Sequence, residues 1–284
     1  MAERFELGID RRVVFGVPSG VGDVYWALCK LKAIRERYRI RHVTLAVQRT
    51  KLTRALEWQR MVDFVDGTME RPFRLDADGQ RDGYSRKVPG MTALLWPNSI
   101  IDRGGMLADW LPEFELDLDF PIQIEPPKKS GAVLVYVSSE GVNAAWCSNL
   151  GAYYWSAFLE ELGNATGVVP TVIGKSWDAS FLANVRAPFE NLVDQTSLPQ
   201  VAGLIANASV LVGVISGMTI LANHFRTPCL ALHPNVPMNP RAWVAADAPY
   251  LPMLAADAPR PAGLATLVAS LMERPVPEGR LCLA

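Results

Sequence analysis

Two short stretches carry residue types and spacings suited to chemistry on an anionic substrate. The first is Gly16-Val17-Pro18-Ser19-Gly20-Val21-Gly22-Asp23 and the second is Val214-Ile215-Ser216-Gly217-Met218. Each follows an apolar strand-like run, at residues 13–17 and 210–215, and each opens a helix-like run. A turn of this kind presents unpaired backbone N–H groups at the positive end of a helix dipole, which suits a phosphate. Asp23 adds a carboxylate to the first turn, where it could take the proton of an attacking hydroxyl. An aspartate at this place also suits plain helix capping. The second turn carries no carboxylate.

Further candidates are scattered along the chain. Asn98, Arg103 and Trp110 lie in an irregular region; Arg103 is followed by Gly104-Gly105 and suits an anion contact. Glu140 and Asn143 follow a strand-like run ending at Val137, and His233 follows the last core strand. Both places correspond to the carboxyl edge of a sheet, where open α/β proteins bind ligands. Trp146, Tyr153 and Tyr154 read as packing residues, although an aromatic ring near a cleft could stack on a base. Asp76-Ala77-Asp78 and Asp117-Leu118-Asp119 have the spacing of a cation site but read as turn and surface carboxylates. No metal site is expected. The four cysteines form no CxxC pair and only three histidines are present, so a structural zinc site has little to work with.

The elements that must position these residues alternate. In the first half, strands are predicted at 13–17, 42–47, 62–65 and 93–96 and helices at 23–38, 51–58 and 101–111. Val24, Leu28, Leu31, Ile34 and Tyr38 recur at helical spacing. Pro126-Pro127-Lys128-Lys129-Ser130-Gly131 reads as a linker, so the domain boundary is placed there. Beyond it, strands are predicted at 132–137, 171–174, 192–193, 209–214 and 228–232. Helices are predicted at 152–162, 177–185, 197–207 (capped by Ser197), 217–225 and 263–272. The organisation expected is 1–127, 128–258 and a C-terminal segment 259–284 whose helix could fold back across the first domain. Strands alternating with helices define an α/β protein built on parallel sheets.

Composition excludes several classes. Half of the 284 residues are hydrophobic and a fifth are charged, which suits a globular chain. The net charge of −1 offers no global field for nucleic acid or an anionic membrane. Arg35, Arg37, Arg39 and Arg41 are interleaved with Glu36 and Tyr38 and read as a solvated helix end, with an acceptor or membrane-surface patch as the alternative. Residues 1–10 lack the apolar core of a secretory signal, and no apolar stretch reaches membrane-spanning length. The expectation is a cytoplasmic protein with reduced thiols.

The chain resembles the heptosyltransferase-like glycosyltransferases of family 9. Pro18-Ser19-Gly20-Val21-Gly22-Asp23-Val24, Ala27-Leu28 and Leu31-Lys32-Ala33-Ile34-Arg35-Glu36-Arg37-Tyr38 are similar to that family's Gly-x-Gly-Asp-Val turn and its "LRALRERYP" helix end. The run from Asn191 to Ala208 resembles "NLxGKTSLxELAALIxxA", residues 210–222 resemble "LVIGNDSGPMHLA", and Thr227-Pro228-Cys229-Leu230-Ala231-Leu232 resembles "TPVVALFG". The resemblance covers most of residues 12–65 and 131–235. It implies a GT-B fold of two Rossmann-like domains facing a cleft, with the donor nucleotide held mainly by the second. It also implies that Asp23 is the catalytic base, with Gly20, Gly22, Asn98 and Arg103 on the acceptor and phosphate side. Donor contacts would come from Ser216, Gly217, Met218, Thr219, Glu140, Asn143 and His233.

The departures matter as much. Ile215 stands where the family has an acidic residue, and Ile220 where it has a histidine. The basic residue of its "KxWP" segment has no obvious counterpart around Cys147-Ser148-Asn149-Leu150. Backbone contacts at the Ser216-Gly217 turn survive these losses. The implied activity is inverting transfer of a sugar from a nucleotide-diphosphate donor, ADP-linked in the family, to a hydroxyl acceptor without a metal ion or further cofactor. A shorter first domain than in the family leaves the acceptor open between a carbohydrate and another hydroxyl or modified nucleobase, and nothing points to nucleic acid. Two other readings stand beside it. One is an inactive nucleotide- or sugar-binding protein of the same fold. The other is an NAD(P)-dependent oxidoreductase, for which Gly16-x-x-x-Gly20-x-Gly22 and Arg49 speak. None of the seven tyrosines has the lysine four residues on that such a reductase needs.

Overall fold

The computed structural model describes residues 11–17, 20–70, 85–88, 91–95, 113–127, 131–139, 150–233 and 244–273. These fall into two compact units that divide between Gln123 and Ile124. Hydrogen bonds explain why the division precedes Pro126-Pro127. The Gln123 N–H donates to Met61 O at 2.7 Å inside the first unit, whereas the Glu125 N–H donates to Pro199 O at 3.4 Å inside the second. The chain therefore changes allegiance across a single residue, before the prolines.

In the first unit, β1 (Arg12–Gly16), β2 (His42–Val47), β3 (Gly67–Glu70), β4 (Ser85–Val88) and β5 (Met91–Leu95) form a sheet of order β3-β2-β1-β5-β4. All neighbours are parallel except β4, which joins β5 antiparallel at the edge. Helices α1 (Val21–Arg37) and α2 (Leu52–Met61) connect the first three strands. Val24, Leu28, Leu31 and Ile34 of α1 are buried, as their spacing predicts. Tyr25 stacks toward Phe120 and Trp58 across ring-centroid distances of 5.3 and 6.3 Å, which closes the core beneath α1. Arg35 and Arg37 lie in the last turn, where cations complement the helix dipole. Arg35 also pairs with Asp66 at 3.1 Å, and Arg37 lies over the Phe114 ring at 5.4 Å.

The strand predicted at 62–65 forms five residues later, as β3. Val62, Phe64 and Val65 are buried, but in a turn rather than a strand. Asp66 is the reason. Its carboxylate accepts the Val43 N–H at 2.8 Å while its own N–H donates to Val43 O at 2.9 Å, so the backbone ladder with β2 starts only at Gly67, opposite Thr44.

In the second unit, β6 (Val133–Tyr136), β7 (Thr171–Val172), β8 (Glu190–Asn191), β9 (Val210–Val214), β10 (Cys229–His233) and β11 (Tyr250–Leu254) form a wholly parallel sheet of order β11-β10-β9-β6-β7-β8. β6, β9 and β10 are buried along their whole length, as parallel strands covered on both faces are. Gly213 makes the central pair possible, because a Cβ there would overlap the Tyr136 carbonyl. β11 was not foreseen. It carries Pro252, which an edge strand tolerates.

The helices are α3 (Ala152–Thr166), α4 (Ala179–Leu182), α5 (Leu198–Ala206), α6 (Gly217–Phe225) and α7 (Pro261–Met272). α3 buries Trp155, Phe158, Leu159 and Leu162 and ends on Gly167 at φ 66°, a left-handed cap that favours glycine. α4 is shorter than the helix predicted at 177–185, and β8 precedes the strand predicted at 192–193. α7 packs on α3 and β9 of its own unit. Strand order runs one way from β6 to β8 and the other way from β9 to β11. Right-handed crossovers therefore place α3 and α6 on opposite faces, with both N-termini at the carboxyl edge.

Candidate functional site

The order of each sheet decides where a ligand can enter. The direction in which successive strands are added reverses between β1 and β5 in the first unit and between β6 and β9 in the second. At such switch points the loops at the carboxyl ends part and open a crevice. The β1–α1 turn and the β9–α6 turn both leave their sheets there.

In the first turn Gly20 caps α1 with φ −71° and ψ 156°, a conformation open to any residue. What requires glycine is space, since a Cβ would lie 2.5 Å from Asp23 Oδ2. That oxygen accepts the Gly20 N–H at 3.0 Å. Asp23 is thus held by its own helix start, and Gly22 precedes it in the same first turn. Burial raises the Asp23 pKa above the usual carboxylate value, against the lowering effect of the Gly20 N–H. The result is a fixed carboxylate with a higher proton affinity than a solvated one. Capping and proton transfer use the same geometry here. Pro18 and Ser19 lie outside the described residues.

In the second turn Ser216 caps α6. Its Oγ accepts the Met218 N–H at 3.1 Å. Thr219 Oγ1 accepts the Ser216 N–H at 3.1 Å and donates to Ser216 O at 2.9 Å. Both hydroxyls are therefore engaged in holding the helix start, and Thr219 is buried. The Met218 and Thr219 N–H groups already face the Ser216 hydroxyl, so an anion at this turn would use the Gly217 N–H or displace that hydroxyl from the other two. Ile215 and Ile220 are half-buried on either side of it.

His233 ends β10 beside this turn, for the Ile215 N–H donates to Leu232 O at 2.9 Å. The ring is fully buried and its Nε2 lies 2.8 Å from Tyr250 Oη, while Nδ1 has no partner among the described residues. Burial pushes its pKa down to about 4, so it is neutral at pH 7. As placed, His233 supports the β10–β11 pair rather than reaching solvent.

Asn98, Arg103, Trp110, Glu140, Asn143 and Trp146 lie outside the described residues. Tyr153, at the start of α3, is 88% exposed, whereas Tyr154 donates to Pro259 O at 2.8 Å. Asp117 Oδ1 accepts the Asp119 N–H at 2.9 Å, the local turn expected of that pair. Among the described residues no group of three or more metal-ligating side chains converges, and no helix is long and apolar enough to cross a membrane. A residue that the sequence did not single out is Asp178, a fully buried acid after β7. The sequence offers no motif for it, because a lysine at 175 has no side-chain acceptor with which to complete a capping box to Asp178.

Two Rossmann-like units with these switch points define the GT-B class of glycosyltransferase folds. Among solved structures, the chain is similar to ADP-heptose LPS heptosyltransferase II of E. coli, with 14% identity, 92% of this chain and 98% of that chain covered and a TM-score of 0.65. It is similar to a family 9 glycosyl transferase from Veillonella parvula DSM 2008, with 13% identity, coverage of 88% and 87% and a TM-score of 0.60. E. coli heptosyltransferase WaaC with ADP follows at 13% identity, coverage of 90% and 96% and a TM-score of 0.56. No protein-family model and no curated protein matches the sequence. At these identities the likeness establishes the fold.

Proposed function

We propose that the protein transfers a sugar from a nucleotide-diphosphate donor to an acceptor hydroxyl with inversion, Asp23 acting as general base. The observation that carries this reading is a carboxylate fixed at a switch point by the Gly20 N–H, with its proton affinity raised by burial. In the reaction the acceptor oxygen gives its proton to Asp23 as it attacks the anomeric carbon. The anomeric C–O bond to phosphate breaks on the opposite face, and the nucleoside diphosphate leaves with the bonding pair. The backbone at Gly217, Met218 and Thr219 and the dipole of α6 would stabilise the leaving diphosphate in place of a divalent cation. Gly20, Gly22, Asn98 and Arg103 are assigned to the acceptor side, and Glu140 and Asn143 to the donor side. The resemblance and the ADP bound to E. coli WaaC support the donor class, and a cytoplasmic site of action is part of the same proposal.

Asp23→Asn is the test. The amide oxygen can still accept the Gly20 N–H, so stability changes by about 1 kcal/mol or less. Loss of the base lowers kcat by about 10²–10⁴-fold. Transfer assayed with and without a chelator should be equal. A variant that keeps more than about a tenth of the wild-type kcat would remove Asp23 from the chemistry. Ile215 and Ile220, which replace polar residues of the family beside the donor turn, favour a second reading as an inactive nucleotide-sugar binder. That reading predicts donor binding in the wild type with no turnover.

A further inference from the structure

Ile215 and Ile220 stand on either side of the Ser216-Gly217 turn, one just before the N-cap and the other one turn into α6. In that relation two apolar side chains can staple a helix start. A staple needs only that they meet. It gives no use to the apolar surface that both half-buried residues leave uncovered at the edge where ligands enter. The hydroxyls between them are occupied, Ser216 Oγ by the Met218 N–H and Thr219 Oγ1 by the Ser216 backbone.

A second feature marks the same corner. His233 is fully buried at the end of β10, and its Nδ1 has no partner among the described residues. Its Nε2 points toward β11, to Tyr250 Oη at 2.8 Å. The two nitrogens of an imidazole face opposite sides of the ring, so Nδ1 is turned away from β11, toward β9 and the turn that follows it. Ile215 is anchored beside it, since its N–H donates to Leu232 O at 2.9 Å. A buried nitrogen left unmet is the exception in folded proteins and calls for a ligand or water.

We propose that the donor carries a deoxy sugar, lacking the hydroxyl at C2 or at C6, with the bare position against Ile215 and Ile220. The inference rests on the glycosyl-transfer reading and deepens it. The anomeric carbon is joined to the terminal phosphate through one oxygen. A sugar whose phosphate is held at the Gly217 N–H therefore lies against the residues that flank the turn. C2 and the C5 substituent are the parts of the sugar nearest the anomeric carbon. A hydroxyl there would lose its water against isoleucine and gain no partner, whereas a hydrogen or methyl group has no such bond to lose. His233 Nδ1 is left for another hydroxyl of the sugar, which can donate or accept and so suits either tautomer. The two isoleucines then select a donor rather than record a lost activity.

The test is titration calorimetry of the full chain, on whichever of ADP, GDP, UDP and dTDP it binds. Glucose and mannose donors on that nucleotide are compared with their 2-deoxy and 6-deoxy counterparts. A deoxy donor should bind about ten- to a hundredfold more tightly than its parent. Ile215→Thr and Ile220→Thr keep a branched side chain and supply a hydroxyl, so each should cut that ratio about tenfold. Because the readout is a ratio between two donors, a general weakening of the turn cancels. A wild-type ratio below about tenfold overturns the proposal, as does a ratio that both threonine variants leave unchanged. If none of the four diphosphates binds, the glycosyl-transfer reading falls and the proposal with it. If one binds and the parent sugars are held as tightly as the deoxy sugars, only the proposal falls.

Discussion

Asp178 and His233 are buried in the same unit, and burial moves their stability contributions in opposite directions with pH. Asp178 holds its proton up to about pH 7, whereas an unfolded aspartate releases it near 3.8. Between those values the folded state binds more protons, so stability present at low pH is lost as pH rises through 7. His233 refuses its proton until about pH 4, whereas an unfolded histidine takes one near 6.5. Stability from His233 is complete above 6.5 and is lost as pH falls toward 4. The two slopes offset in the wild type between about pH 4 and 6.5. His233→Gln keeps a polar partner for Tyr250 and should be compared with the wild type by urea unfolding at several pH values. The stability difference should change by roughly 3 kcal/mol at most between pH 7 and 4, in favour of the variant at the acid end. A difference that stays constant with pH would mean that the ring is protonated while buried.

At the scale of elements, α5 shows how one missing Cβ can decide packing. Gly203 lies inside this helix, where alanine is normally better by about 1 kcal/mol. Here a Cβ would overlap the Glu125 carbonyl, and Glu125 itself is tied to Pro199 of the same helix. Gly203→Ala should therefore reverse the usual sign and destabilise by about 1–3 kcal/mol. A melting curve at or above that of the wild type would show that residues 124–127 yield without cost. The same contact explains what sequence could and could not reveal. β2, β9 and α6 were legible because β-branched runs and the Ser216 cap speak for themselves. The domain boundary was read four residues late, because proline composition marks a linker but says nothing of which unit the preceding amides join. β3 was displaced because the Asp66 side chain stands in for a strand partner, and β11 was hidden by Pro252. Asp23 could be found by motif and place. Asp178 could not, because its significance lies in burial contributed by three separate loops.

At the scale of the whole molecule, the two units divide the labour proposed for them, and the division can be tested by perturbing each separately. Asp23 belongs to the first unit and the β9–α6 turn to the second. A nucleoside diphosphate sugar at about 100 times its Kd should stabilise the folded chain by about 2.7 kcal/mol. For units of this size that raises the melting temperature by roughly 5–10 °C. Asp23→Asn should keep this shift while losing turnover, because the proposed reading puts donor binding and proton transfer in different units. Ser216→Ala separates two roles within the second unit. It removes the acceptor of the Met218 N–H and should lower the stability of the unliganded chain by about 1 kcal/mol. It also vacates that N–H for a phosphate oxygen, so the nucleotide-induced shift should be retained or enlarged. Were Ser216→Ala to abolish the shift, the hydroxyl itself would be the ligand contact and the turn would not act through its backbone. Were Asp23→Asn to abolish it, the donor would depend on the first unit, and the assignment of Asp23 to the acceptor proton would have to be redrawn.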